Sequence, residues 1–365
     1  MSGPSLGIVG AGVTGRMLSL LALKRGMKVS LFEKKSKMPH SKDQRPCSLV
    51  AAGMLSPYCE LEKSDVLISE LGVDSLNLWE EIVPSMGGDI FFQRKGGIVL
   101  SHPEDQNEML KLEKILGKNQ LQHTYKHLNG KELLALESDL SPHFSKALFF
   151  ENEGQIDPWS FYRSFNESIL PQCEESFFET DVLEINPHGI KTSQKNYTFD
   201  WVIDCRGLEA KKDERRLRGV RGEIIKIRAP GINLLRPLRL MHPRYCLYIV
   251  PREDNQYLIG ATNLESEDYS PISVRSALEL LSACYSVNSS FSEARIVEMD
   301  VHCRPAFPDN NPKIILKKAE GLVMANGLYR HGYLISPKIA DLVLNKLDGQ
   351  KKIEEKYEPL IEEWP

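Results

Sequence analysis

The sequence predicts an α/β protein in which a Rossmann-like parallel sheet is interleaved with a second, mostly antiparallel sheet. Three observations predict it. The chain opens on an apolar run at 6–9, a glycine-rich turn, a helical apolar pattern and a second short apolar run at 29–32, the order of a βαβ unit. Residues 200–205 read as another buried strand, ending in Cys205-Arg206-Gly207 and returning mid-chain to the first sheet. From Gly222 onward, short strands with hydrophobic alternation follow at close spacing, which suits an antiparallel sheet.

Each residue type in the opening unit has a reason to be there. Gly10 makes the tight turn, Gly12 lets the backbone approach a pyrophosphate, and Gly15 lets the helix lie against the strand. Met17, Leu18, Leu20, Leu21 and Leu23 recur at helical spacing, and Gly26 supplies the stop. The helix N-terminus offers free N–H groups and partial positive charge to phosphates. Glu33 closes the second strand, where it would accept hydrogen bonds from ribose hydroxyls. The unit reads as a Rossmann-like dinucleotide site. The motif alone does not separate FAD from NAD; its place at the extreme N-terminus favours a flavin.

The other elements follow in order. The polar, basic stretch 34–45 reads as a solvated loop. Ala51, Ala52 and Gly53 would let the backbone approach something bulky and flat, or would serve close helix packing. Residues 64–86 read as a helix with Leu67, Leu71, Leu76, Leu78 and Trp79 as core; 90–93 and 97–100 as strands around a turn; 103–116 as an amphipathic helix; and 130–137 as a shorter one. A strand at 148–151 precedes Asp157-Pro158, a cap and first-turn proline for a helix at 159–169. A strand at 181–185 comes next, and the charged stretch 211–218 reads as exposed. Strands are expected at 223–227, 246–250, 256–262 and 295–302, with a helix at 274–285. A strand at 322–325, a loop at 327–332 and a helix at 337–347 complete the pattern, and the charged tail 351–365 reads as loose. The expected division is a nucleotide domain of 1–86, 146–217 and 302–365, and a substrate domain of 87–145 and 218–301.

Composition narrows the function. The 365 residues are 41% hydrophobic, as in an ordinary globular protein, and the net charge of -4 supplies no basic field for nucleic acid. The seven cysteines are scattered without zinc-ligand spacing, so reduced thiols and no metal site are expected. No signal peptide is expected from the opening residues, and no apolar run is long enough to cross a bilayer, so the expected compartment is the cytoplasm.

The motifs together resemble the D-amino-acid-oxidase-like FAD family and, within it, the glycine oxidases of thiamine biosynthesis. The stretches that carry the resemblance are G-A-G-V-T-G with Glu33, A-A-G-M-L at 51–55, Y-I-V-P-R at 248–252, I-G-A-T at 259–262, Arg304-Pro305, and G-L-Y-R-H-G at 327–332. Each is short; their order along one chain is specific to the family.

The resemblance implies a non-covalently held FAD, oxidation of a small amino acid or amine to an imine, and molecular oxygen as acceptor with release of peroxide. Gly10, Gly12, Gly15 and Glu33 would hold the ADP half. Ala51, Ala52, Gly53 and Met54 would lie along the isoalloxazine, the backbone of Val182 would contact adenine, and Gly207 falls on the cofactor side. Gly327, Arg330, His331, Gly332 and Leu334 would form the loop under the flavin pyrimidine. Arg304 resembles the arginine that grips the substrate carboxylate. Tyr248 would add a hydroxyl donor, or is a core aromatic, and Arg330 is a second cation near the ring.

No general base stands out, and His242 and His302 are assigned none, since hydride transfer from a neutral amine needs positioning more than proton abstraction. The chain departs from the compared glycine oxidase at Cys246, Asn263, Leu328 and Arg206, and at Asp309-Asn310-Asn311-Pro312, which keeps the Asp and Pro but not the glycine between them; these changes bear on pocket size and polarity. Cys303 lies near where some related sarcosine oxidases attach flavin covalently. The expected activity is that of a glycine-oxidase-like amino acid oxidase. The alternatives are an oxidase of sarcosine or D-amino acids such as D-proline, and a dehydrogenase with another acceptor. An assembly of identical copies is compatible with this reading.

Overall fold

The two apolar runs around the glycine turn form neighbouring parallel strands, Ser5–Val9 and Lys28–Phe32, joined by the helix Val13–Lys24. The computed structural model describes residues 3–39, 41–317, 321–349 and 352–364. Strand Trp201–Asp204 returns to pair with Ser5–Val9 in parallel, and Leu322–Asn326 pairs with it in turn. The resulting seven-stranded sheet runs Ile361–Trp364, Lys313–Lys317, Leu322–Asn326, Trp201–Asp204, Ser5–Val9, Lys28–Phe32, Glu175–Phe177. Helices Val13–Lys24, Val66–Met86 and Gly332–Asp348 share one large apolar core with it.

The second sheet has eight strands: Arg295–Ala306, Arg218–Arg228, Gln256–Gly260, Cys246–Pro251, Leu238–Met241, Gly97–Ser101, Lys146–Phe150 and Lys126–Asn129. Its neighbours are antiparallel except Leu238–Met241 with Gly97–Ser101. Two strands cross the expected division. Lys146–Phe150 belongs to this sheet, and Arg295–Ala306 runs unbroken through residue 302. The short strands expected around the turn at 94–96 separate: Phe92–Gln93 joins a three-stranded sheet, while Gly97–Ser101 joins the eight-stranded one.

Two further expectations change. The last helix begins at Gly332, five residues before Pro337, so the proline lies inside it. Proline has no N–H for the carbonyl four residues back. That carbonyl, on Tyr333, instead accepts a 2.8 Å bond from Trp79 Nε1 of another helix. Trp79→Phe strands the buried carbonyl and is expected to cost about 1–3 kcal/mol in urea melts; an unchanged midpoint would contradict this role.

The tail is also ordered. Tyr357 and Leu360 are fully buried, and Ile361–Trp364 pairs in parallel with Lys313–Lys317. Its charge misleads because Glu362 is neutralised by Arg216 and Lys313. Lys351 and Pro365 lie outside the described residues.

Candidate active site

A cavity of about 760 Å³ opens between the two sheets. Of the residues expected from the sequence to hold cofactor or substrate, all but Gly15 and Gly327 line it. Those two act from behind. A Cβ on Gly15 would stand 1.8 Å from the Gly10 carbonyl oxygen, and one on Gly327, whose φ is +76°, would strike the Phe307 ring.

The nucleotide side of the cavity is built for an anion. Gly12 is the N-cap of the first helix and brings no side-chain cap, so the first-turn N–H groups are left for a ligand. A Cβ there would find only Ser48 Oγ, at 3.8 Å, within 4 Å. Glu33 accepts from Ala11 N–H at 2.7 Å and Lys35 N–H at 2.8 Å, which leaves carboxylate lone pairs for hydroxyl donors. The last helix also begins at the cavity wall without a side-chain cap, at Gly332, Tyr333 and Leu334. These features fit a dinucleotide with a second, electron-accepting ring.

The small-residue segment lines the cavity, and its closest packing is against the strand Gly154–Ile156 and not against a helix. Ala51, Ala52, Gly53 and Met54 all line the cavity. Gly53 (φ +63°) is also small because a Cβ would sit 2.0 Å from the Ile156 carbonyl oxygen. Arg252, from the Y-I-V-P-R stretch, is the clasp. Its guanidinium bonds the carbonyls of Ala52 and Ile156 and Gln155 Oε1, and pairs with Asp157 at 3.3 Å.

Two arginines share the substrate side and differ in charge balance. Arg330 is not a free cation: its Nη2 lies 2.5 Å from Glu60 Oε1, with both side chains largely buried. Burial would raise the Glu60 carboxyl, but Arg330, Arg239 and His331 outweigh it and hold it at about 2. His331, 3.9 Å from the same carboxylate, is pushed by burial down to about 4 and is neutral at pH 7. Arg304, by contrast, bonds only neutral oxygens among the described residues, the Thr262 carbonyl at 3.2 Å and Asn263 Oδ1 at 3.3 Å.

Sequence reasoning did not find Glu60, or the two glycines that seat the substrate-side groups. A Cβ on Gly222 would come 2.2 Å from Arg304 Nη2, and one on Gly260 would come 2.7 Å from the Tyr248 hydroxyl. Glycines inside strand patterns are the signal that marks such close approach.

Three of the departures have local explanations. Asn263 Oδ1 accepts from Tyr329 OH at 2.7 Å as well as from Arg304. Arg206 turns onto Asp204 through two bonds of 2.9 and 2.6 Å, and onto Asp213. Asn310 takes φ +60°, a left-handed conformation that asparagine tolerates well. The Cys246 side chain lies outside what is described. The Cys303 thiol is directed at the carbonyls of Ser266 and Asp268, and burial keeps it protonated. His302 lines the cavity and is pushed by burial to about 4.

Glu60 is carried by a turn that Glu153 holds, its Oε1 accepting from the N–H groups of Tyr58 and Cys59 at 3.1 and 2.9 Å. Burial raises the Glu153 carboxyl to about 7, against these donors, from an ordinary 4.5. The folded state therefore holds this proton more tightly than the unfolded state, and stability falls as pH rises from 4.5 through 7. Glu153→Gln removes that fall, with an expected gain over the parent on the order of 1–3 kcal/mol at pH 8 and none near pH 4.5. Melts at both pH values read it, and an equal effect at both would contradict it.

Among the described residues no helix is long and apolar enough to cross a membrane, and no cluster of three or more metal-ligating side chains occurs. The chain is similar over its length to known proteins. It is 33% identical over 339 residues to a Rhizobium etli protein that carries the name thiamine biosynthesis oxidoreductase ThiO, covering 93% of this chain and 94% of that one. It is 26% identical over 359 residues to the glycine oxidase of Geobacillus kaustophilus, covering 93% and 92%. A crystal structure of glycine oxidase from Geobacillus kaustophilus superposes with a TM-score of 0.82 at 24% identity, covering 98% of each chain. The model of the DAO family, FAD dependent oxidoreductase, matches residues 5–345. On that match, and on a cavity whose uncapped helix and glycine turn suit the cofactor, the chain belongs to this family of FAD-dependent oxidoreductases.

Proposed function

We propose that the protein is a glycine-oxidase-like amino acid oxidase: it takes a small amino acid, glycine first, to its imine. The observation that carries this reading is Arg304. Arg304 lines the cavity and its guanidinium has neutral partners only among the described residues, so it has charge and donors left for one carboxylate. Tyr248 would add a hydroxyl to the same carboxylate, while Glu60 neutralises the second arginine, Arg330. FAD, when bound, supplies the hydride acceptor and returns its electrons to oxygen as peroxide. The chain's own residues orient the α-carbon and exclude water; His302 and His331, both neutral, are given no proton to move.

The relatives' names support thiamine biosynthesis as the setting. The six cysteines described as free support a reducing compartment, which we take to be the cytoplasm. We retain the two-part division of the chain, the seven-stranded sheet holding cofactor and the eight-stranded sheet holding substrate. The test is anaerobic mixing of the yellow protein with glycine, sarcosine and D-proline. Flavin bleaching fastest with glycine, and peroxide on admitting air, are expected. Faster bleaching with D-proline, or reduced protein that stays reduced in air, would overturn the substrate or the acceptor respectively.

A further inference from the structure

We propose that Arg16 is a positioning residue for the cofactor's pyrophosphate, acting from beneath the glycine turn. Arg16 is the fourth residue of the first helix and is 1% exposed. It forms no ion pair among the described residues. Its Nε donates to the Ala11 carbonyl at 2.9 Å, Nη1 to Asn166 Oδ1 at 2.7 Å and Nη2 to the Lys37 carbonyl at 3.5 Å. The guanidinium lies over the rings of Tyr162, at 3.9 Å, and Phe165, at 4.8 Å. Arginine keeps its charge in proteins. The result is a buried cation at the positive end of a helix, the arrangement that a helix dipole disfavours. An anion at the same helix end reverses that sign.

The second part of the argument is orientation. The Ala11 carbonyl accepts from both Arg16 Nε and the Tyr162 hydroxyl, the latter at 3.3 Å. In a planar trans peptide the C=O and the following N–H point opposite ways. Holding the Ala11 oxygen in the core therefore turns the Gly12 N–H towards the cavity that Gly12 lines. Glu33 fixes the other side of Ala11 by accepting its N–H at 2.7 Å. Arg16 thus keeps a carbonyl away from the phosphates and sets a positive charge behind them.

The test compares the parent with Arg16→Met, which keeps bulk and removes charge. Flavin is removed from the full-length protein, and dissociation constants are measured for FAD, ADP and adenosine alongside the melting temperature of the flavin-free form. For Arg16→Met, FAD and ADP are expected to bind about 10- to 30-fold more weakly. Adenosine binding should be unchanged, and the flavin-free form should lose less stability than the flavin-loaded form, its loss being that of the acceptors on Asn166 and Lys37 left without their donor. An unchanged ADP constant, an equal loss for adenosine, or a flavin-free form destabilised as far as the loaded one would overturn the proposal. If Arg16→Met does not fold, Arg16→Gln reads the charge alone, with ADP expected to weaken about threefold or more. Failure of both variants to fold would itself count against the proposal, since it would show a packing role.

Discussion

Arg304→Ala is expected to keep its yellow flavin and to lose about 10²- to 10⁴-fold in kcat/KM for glycine, because two charge-assisted hydrogen bonds of about 1.5–3 kcal/mol each disappear. The loss falls on the substrate and not on the cofactor, since Arg304 sits on a strand of the eight-stranded sheet, away from the glycine turn. Arg304→Lys should recover only part of it, a point charge replacing a planar fork. Gly222→Ala should reproduce a share of the defect with Arg304 still present, because the new methyl would occupy the place of the guanidinium. Steady-state peroxide assays with flavin content measured in parallel decide both. Arg304→Ala turning over glycine within a few-fold of the parent would remove the carboxylate clamp from the proposed function.

Gly15→Ala is expected to yield protein without flavin. The added Cβ would stand 1.8 Å from the Gly10 oxygen and 3.2 Å from Cys205 Sγ. Both neighbours are fixed: Gly10 by its bond to the Phe32 carbonyl, and Cys205 by its bond to the Val9 carbonyl. The helix must move off the strand, carrying the uncapped N–H groups of its first turn away from the phosphates. The readout is the ratio of flavin to protein absorbance, with a melting temperature well below the parent's. A variant that holds stoichiometric FAD would show that the helix can slide without losing the site.

The sequence by itself determined what is local. A strand, a glycine turn and a helix are read from residues a few positions apart, because backbone sterics and hydrophobic period act at that range. So the βαβ unit with Gly10, Gly12, Gly15 and Glu33 was legible, and so were the mid-chain return strand and the alternating second sheet. Tertiary structure decided what depends on partners distant in sequence. Glu60 neutralises Arg330 from 270 residues away, Trp79 satisfies the Tyr333 carbonyl that Pro337 cannot, and Gly222 gives Arg304 its seat across two strands. The charged tail joins the sheet because its carboxylates meet cations from other strands. Charge, burial and the open side of a hydrogen bond are properties of a neighbourhood, and the chain acquires that neighbourhood only by folding.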